Sequence, residues 1–550
     1  MTPAPSSPAP PPAKGSGLTL AMLALVLALQ LAMVFQRAIN EDEFFHYSQV
    51  HRLVAGTLAE PLQTLYTRAF AWVTVLPGDG IDHIVVIRLF MLGCEAVTLA
   101  CLFGVATRFA SRQAAWLAVL SYAGGGYVFQ HAASFRFDSP AAALLMLAAL
   151  ALLRARLNWS AIAAIGLLLG TATVLTIKAV LYAPVFAGIA WLRWTEAGRS
   201  SAMLVRLGAI ALAAAAAFAL VYALHASTLG AAADGEARAV VSRAGSKMFG
   251  LGLPPYWQHH LKGMAIAPLV TLLALCFPIV LRGDVRPAAE KAALAGLFLP
   301  LATLLFYHNT APYYFVFMLA PVCAALAIVL DRALPRYGAA RIALLLGGLA
   351  LALWAVEDRA IIQRQRALVN AGERLLPQHP AYFDGFAMLG AMPKANVFMT
   401  PWGTEQYLKG QESSLSDTLA ARPVPLVLEN KDAFTAALRS RQPVGDFLPQ
   451  DLALLRRVYV NLWGPLWLAG FDVPAGDSMT ITVEVPGPYT LHAAQPVTVD
   501  GIARAPGTVF ELTRGPHTIA PRTAPLRLLW GDRIKAPATP PPAPPYLLPY

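Results

Sequence analysis

Asn40-Glu41-Asp42-Glu43-Phe44-Phe45-His46-Tyr47 sets three consecutive carboxylates almost directly after an apolar run from Leu18 to Phe35. That run approaches the roughly 20 residues an upright helix needs to cross a bilayer. It is too long for the core of a signal peptide, and ten comparable runs follow, so it reads as a retained first span. Polar side chains at the exit of a span stand where a substrate with a lipid tail presents its head. The rest of the chain is read outward from that corner.

Composition supports a membrane protein. The chain is 57% hydrophobic and only 13% charged, with a mean hydropathy of +0.55, so little charge is left to solvate a globular surface. The net charge of +11 does not indicate nucleic-acid binding, because the basic residues lie in short clusters between apolar runs. Cys94, Cys101, Cys276 and Cys323 all fall inside apolar runs without CxxC spacing, which argues against a zinc site or a disulfide framework.

Further spans are expected near Ile84–Arg108, Ala114–His131, Ser139–Leu153, Trp159–Thr176, Val180–Trp194 and Met203–His225. Others follow near Met264–Leu281, Ala292–Tyr307, Tyr313–Leu330 and Ile342–Val356, which makes about 11 transmembrane helices. With residues 1–17 as a disordered cytoplasmic tail, every short inside loop is basic: Arg108 and Arg112, Arg154 and Arg156, Arg193 to Arg206, Arg282 to Lys291, and Arg332 to Arg341. The positive-inside rule then puts the acidic triplet and everything after Glu357 on the outer side, naturally a bacterial periplasm facing the inner membrane.

Between residues 40 and 80, Val50, Leu53, Val54, Leu62, Leu65 and Phe70 keep helical spacing, interrupted by Gly56 and Pro61. Two short helices along the membrane surface fit this pattern. The segment from Met248 to Trp257 mixes aromatics with Gly and Pro, as an interfacial lid or a membrane-resting loop would. Residues 357–470 read as mixed α and β, with a helix near Ile361–Leu376 and strands at Asn396–Thr400 and Val424–Leu428. From 471 to 535 the alternation of Met479, Ile481, Val483 and Val485, and strands at Tyr489–His492, Thr508–Leu512 and Leu526–Trp530, suggest a small β-sandwich. The Pro-rich stretch 536–550 reads as a tail.

Four places carry polar groups at the outer face. In Glu41-Asp42-Glu43, mutual repulsion raises at least one pKa and offers a base, although an exposed acidic loop is the plainer reading. Asp138, in Phe135-Arg136-Phe137-Asp138-Ser139-Pro140, suits a helix cap, which leaves Arg136 unexplained. Lys178 lies in a turn short enough to hold it at the interface, as a snorkelling residue or a point charge for phosphate. Tyr307-His308-Asn309 with Pro312-Tyr313-Tyr314 is either an aromatic belt or a polar aromatic wall. The expected topology puts all four on one side. A base, cations and aromatics together suit transfer of a group from a phosphate ester.

At this point the chain resembles the GT-C superfamily of polyprenyl-phosphate-dependent glycosyltransferases. It is most similar to the bacterial branch holding the aminoarabinose transferases and protein O-mannosyltransferases. The resemblance rests on Asp42-Glu43 with His46-Tyr47 and Leu53-Val54-Ala55-Gly56, on Arg136 to Pro140, on Gly166 to Gly170 running into Thr176-Ile177-Lys178, and on Pro312-Tyr313-Tyr314 with Ala320-Pro321. It covers residues 18–356, the transmembrane catalytic domain. It implies that Asp42 is the general base, with Glu43 supporting or substituting. Asp138, Tyr313 and Tyr314 would shape the cavity, and Lys178, helped by Arg136 or His308, would meet the donor phosphate. The implied reaction is an inverting displacement from a polyprenyl-phosphate-linked sugar onto a hydroxyl of a glycan, lipid or protein. Monophosphate donors imply no cofactor; a metal ion held by Glu41–Glu43 with Asp138 is the alternative.

Two other function classes compete. A lipid-linked sugar transporter or flippase would place charges near the midplane, where Glu95 is the one supporting residue, explained equally by pairing with Arg88. A non-catalytic assembly subunit would use its outer β domain to bind glycans.

Overall fold

In the computed structural model, which describes residues 16–229, 249–250, 256–440, 442 and 444–548, the first apolar run forms α1 (Ser16–Gln36). A polar break, Arg37 to Asn40, ends it, and α2 (Glu41–Val54) begins at once. Gly56, in the left-handed region at φ +69°, stops α2, and α3 (Tyr66–Phe70) forms beyond Pro61.

The bundle continues through α4 (Gly80–Ala106), α5 (Arg112–Ala123), the short α6 (Tyr127–His131), α7 (Asp138–Arg154), α8 (Trp159–Leu175), α9 (Ala183–Glu196) and α10 (Ser201–Ala226). Then come α11 (Trp257–Ile266), α12 (Pro268–Arg282), α13 (Ala288–Phe298), α14 (Tyr314–Tyr337), α15 (Ala339–Ala355) and α16 (Ala360–Leu375). Among the described residues, five helical segments are long and apolar enough to cross a membrane, or seven if the bent pairs α11–α12 and α15–α16 each count as one. On α10, Val205, Leu212, Leu220 and Leu224 are all exposed. An apolar face of that extent calls for lipid as its solvent, so the chain is a multi-pass membrane protein.

Several expected spans are interrupted where the backbone demands it. The Ala114–His131 run breaks at Gly124-Gly125-Gly126, with Gly126 at φ +54°. Pro268 lacks the amide needed to continue α11, and the chain bends by 101° into α12. Val180–Trp194 opens as a 3-10 turn over Ile177–Tyr182 before α9, and Ala292–Tyr307 passes at Leu299-Pro300 into a 3-10 stretch, Leu299–Leu305. The small residues of α8 have a packing reason. A Cβ on Gly166 would fall 2.5 Å from the Ala213 Cβ, and one on Gly170 2.6 Å from the Phe218 nitrogen, so α8 and α10 meet backbone to backbone.

Beyond α16 the strands are β1 (Tyr382–Phe383), β2 (Leu426–Leu428), β3 (Tyr459–Trp463), β4 (Leu466–Val473), β5 (Met479–Val483), β6 (Gly487–Ala493), β7 (Val497–Val499), β8 (Ile502–Arg504), β9 (Val509–Leu512), β10 (Gly515–Ile519) and β11 (Leu526–Trp530). One sheet runs β1-β2-β4-β11-β6-β9 with β3 also on β4; the other runs β5-β10-β7-β8. Ile481, Val483 and Ile519 of the second sheet pack against Tyr489, Leu491 and Leu528 of the first, a sandwich core. Met479, the cross-strand partner of Ile519, lies on that same face but at its exposed end.

Three expectations for this region change. The boundary at 471 falls inside β4, which pairs with β2 and β3 at one end and with β11 at the other. No strand forms at Asn396–Thr400. The Asn396 side chain accepts the Asp384 N–H (3.1 Å) and donates to the Asp384 carbonyl (2.8 Å), which diverts the chain into a turn. The Pro-rich stretch is docked rather than free as far as it is described: Trp463 Nε1 donates to the Thr539 carbonyl (2.7 Å), and Gln365 Nε2 to that of Tyr546 (2.8 Å).

Candidate functional site

The acidic triplet is the first turn of α2. Asn40 caps it: its side-chain oxygen accepts the Glu43 N–H, and the Glu43 carboxylate accepts the Asn40 N–H, both at 3.0 Å. Negative charge is favoured at that helix end. Successive helix residues point about 100° apart, so three adjacent acids face three different environments.

Glu43 points inward and is fully buried, with Arg88 Nε and Nη2 at 2.7 and 2.6 Å from its two oxygens. The Phe135 N–H adds a third bond at 2.7 Å. Burial pushes this carboxyl up, but the Arg88 charge and these hydrogen bonds outweigh it and hold the pKa below the usual value. Arg88 also donates to the Arg37 and Ala38 carbonyls, at 2.8 and 2.9 Å, tying the end of α1 to α2 and α4. Glu43 was expected to support or replace Asp42; a carboxylate with no exposed surface and both oxygens engaged is a strut instead. Arg88 does not pair with Glu95, which accepts from Gln30 Nε2 at 2.8 Å inside the bundle.

Asp42 points the other way and heads a row of alternating charge. Its Oδ2 is paired with Arg136 Nη1; Arg136 Nε reaches Asp138 Oδ2 at 3.1 Å; and Asp138 Oδ1 meets Lys178 Nζ at 2.5 Å. Arg136, Asp138 and Lys178 are buried, whereas the Asp42 side chain keeps 19% of its surface. The Tyr313 ring covers Arg136, its centroid 3.2 Å from Cζ, and Phe137 lies 4.9 Å from the Lys178 nitrogen. Asp138 starts α7 but makes no cap bond, because its carboxylate is taken by the two cations. Lys178 is held in its 3-10 turn, where the Thr176 hydroxyl oxygen accepts its backbone N–H at 3.3 Å.

One expected member stands apart. His308 makes a hydrogen bond with the Gly250 carbonyl (3.1 Å), and among the described residues no hydrogen bond or ion pair joins it to Arg136 or Lys178. Tyr314 is fully buried with its hydroxyl on Thr303 (2.6 Å), and its ring centroid lies 5.8 Å from the Lys178 nitrogen. Most of the Met248–Trp257 segment lies outside the described residues; Phe249 bridges to Tyr307. Among the described residues, no group of three His, Cys, Asp or Glu side chains is placed to hold a metal ion, since the acids of the triplet diverge.

Other residues enter to which the sequence assigned no role at the row. His46, one helical turn from Asp42, is buried with Nδ1 on the Tyr66 hydroxyl (2.7 Å), and its Nε2 has no partner. Burial, then the charges of Arg136 and Lys178, hold its imidazole well below the ordinary histidine value. The i, i+4 spacing from Asp42 was the available signal. Glu41 is raised to about 7, by burial first and the Asp42 charge second, offset in part by Lys431 and Arg136. Lys431 comes from the region after α16, and Phe398 from the same region packs on Phe45 of α2 with centroids 4.6 Å apart. No local pattern marks either one.

No protein-family model matches the chain, and no curated protein matches it in sequence. Among solved structures the chain is similar to ArnT from Cupriavidus metallidurans bound to undecaprenyl phosphate, at TM-score 0.51 and 12% identity over 76% of this chain and 94% of that one. The apo state of the same ArnT gives TM-score 0.50 with the same identity and coverage. The chain has a GT-C-like fold.

Proposed function

We propose that this chain is an inverting glycosyltransferase that moves a sugar from a polyprenyl-phosphate donor to an acceptor hydroxyl, with Asp42 as the general base. The observation that carries this is the buried row Asp42–Arg136–Asp138–Lys178, open to the surface only at its carboxylate end. The ArnT structure of similar fold holds undecaprenyl phosphate, which supports a lipid phosphate as the donor class. In the topology proposed, about eleven spans cross a bacterial inner membrane and the row faces the periplasm.

Arg136 and Lys178 are the cations for the donor phosphate. An arriving phosphate competes with Asp42 for Arg136, which loosens the Asp42 carboxylate at the moment a base is needed. Asp42 takes the acceptor proton; the acceptor oxygen bonds to the anomeric carbon; the bond from that carbon to the phosphate oxygen breaks, its electron pair leaving with the phosphate. Charge growing on the departing group is stabilised by fixed cations in a site screened from water. Asp138 keeps Arg136 and Lys178 apart and aimed, and Tyr313 roofs Arg136. The outer region, residues 357–535, packs on the base-bearing helix and guides the acceptor.

The test is complementation in a deletion strain, with mass spectrometry of surface glycans and lipids. Asp42→Asn should fail to restore the missing glycoform while leaving protein level unchanged and undecaprenyl-phosphate binding at least as tight. Full complementation by Asp42→Asn, or transport of labelled lipid across vesicles with no new glycosidic bond, defeats the reading.

A further inference from the structure

His46 lies one helical turn along α2 from Asp42, and its ring packs on the turn that carries the charged row. The Phe137 ring is shared between them: its centroid lies 5.4 Å from that of His46 and 5.6 Å from Arg136 Cζ. Phe135, from the same turn, flanks His46 at 5.9 Å. Residues four apart on a helix lie on one face, with Cβ atoms about 5–6 Å apart. Asp42 and His46 therefore look toward the same turn.

The chemistry fixes where the His46 hydrogen sits. The imidazole is neutral, since burial and then the charges of Arg136 and Lys178 hold its pKa well below the ordinary value. One ring nitrogen then donates and the other accepts. Nδ1 is 2.7 Å from the Tyr66 hydroxyl, and Tyr66 is buried with no other side-chain hydrogen bond among the described residues. If Nδ1 carried the hydrogen, the Tyr66 hydrogen and Nε2 would both lack a partner. With Tyr66 as the donor, the one unpaired group is Nε2–H.

An enclosed donor without an acceptor is rare in a native fold. Water and ligands do not reach this nitrogen, so its partner is a protein group that moves. Two carboxylates of the row are the candidates. Asp138 is fixed, with Oδ2 3.1 Å from Arg136 Nε and Oδ1 2.5 Å from Lys178 Nζ. Asp42 is tied through Oδ2 alone, to Arg136, and among the described residues its Oδ1 makes no hydrogen bond. The Asp42 side chain keeps 19% of its surface, so it has room to turn.

We infer that His46 is a positioning residue that receives Asp42: when the donor phosphate draws Arg136 away, the freed carboxylate turns onto the His46 Nε2–H. One oxygen is then held by the imidazole, and the other is aimed at the acceptor hydroxyl. The base takes its working place only when the phosphate is present. The inference rests on the reading above in which a lipid phosphate competes with Asp42 for Arg136.

The test is a double-mutant cycle on the binding of undecaprenyl phosphate to the full chain in lipid nanodiscs, titrated by native mass spectrometry. His46→Phe should weaken binding roughly tenfold in the wild-type background, the worth of one hydrogen bond to a charged group. It should change nothing in an Asp42→Ala background, where no carboxylate is left to receive. His46→Gln, whose N–H falls near the place of Nε2 while its oxygen accepts from Tyr66, should restore most of the affinity. If thermal unfolding shows that His46→Phe does not fold, His46→Leu with Tyr66→Phe replaces it, since that pair strands no hydroxyl. Equal weakening in both backgrounds marks a packing role and overturns the inference. No weakening in the wild-type background, or no rescue by His46→Gln, overturns it as well. Turnover of Asp42→Asn, measured alongside, separates the two readings. A coupled cycle with Asp42→Asn fully active defeats the base and keeps the His46 contact; a flat cycle with Asp42→Asn inactive defeats the His46 contact alone.

Discussion

Glu43 and Arg88 meet with two oxygens on two nitrogens, at 2.7 and 2.6 Å, in a space where their side chains are 0% and 2% exposed. The pair joins α2 to α4, and the remaining Arg88 donors close the end of α1. It holds the next residue back along the helix, Asp42, at a fixed height over the bundle.

Because such a pair is costly to break from one side, Glu43→Ala should destabilise the protein by about 3–5 kcal/mol, leaving Arg88 buried and uncompensated. Thermal unfolding in detergent reads this directly. Transfer per folded molecule should fall far less than in Asp42→Asn. A Glu43→Ala protein that melts like the wild type yet cannot turn over would return Glu43 to the chemistry.

Asp42→Asn keeps the shape and, in the proposed mechanism, loses the base. Turnover should drop by roughly 100- to 10,000-fold, the usual contribution of a positioned proton acceptor. Steady-state kinetics with a purified lipid-phosphate donor is the measurement, and a loss below tenfold would count against the assignment.

Glu41 titrates in the opposite sense to Glu43. Its folded pKa, about 7, lies above the ordinary 4.5, so between those values the folded state binds more protons than the unfolded one. The stabilisation is fully present below about pH 4.5 and is lost as pH rises through 7. Glu41→Gln should therefore gain on the wild type by roughly 1–3 kcal/mol between pH 5 and pH 8. Parallel melting curves across that range, showing no divergence, would refute the shift.

At the α8–α10 contact, Gly170→Ala should cost about 1–3 kcal/mol, since the added carbon meets backbone rather than a yielding side chain. Gly93→Ala, where a Cβ would meet nothing within 4 Å, is the control and should be silent in the same assay.

The sequence led to Arg136, Asp138 and Lys178 through position alone, because short turns between apolar runs leave charges few places to go. Apart from the family resemblance, nothing in the string separated Asp42 from Glu43. Adjacent acids look alike in a string, and only the helix phase set by the Asn40 cap sends one to Arg88 and the other to Arg136. Hydropathy located the apolar runs but was blind to the breaks at Gly124–Gly126 and Pro268, where the backbone turns without any loss of apolar character. Lys431 was illegible for a different reason: its approach to Glu41 is made by the tertiary fold, across almost four hundred residues of chain.

Gln365 of α16 accepts the Ile39 N–H through its side-chain oxygen (2.9 Å) and donates to the Ile39 carbonyl (2.7 Å), and its amide also reaches the Tyr546 carbonyl. One amide thus grips the linker ahead of the acidic triplet and the docked end of the chain together. A protease that removed the segment after α16 would take away the support of the linker that carries the acidic triplet. The two halves are a single mechanical part, to be exchanged between relatives only as a unit.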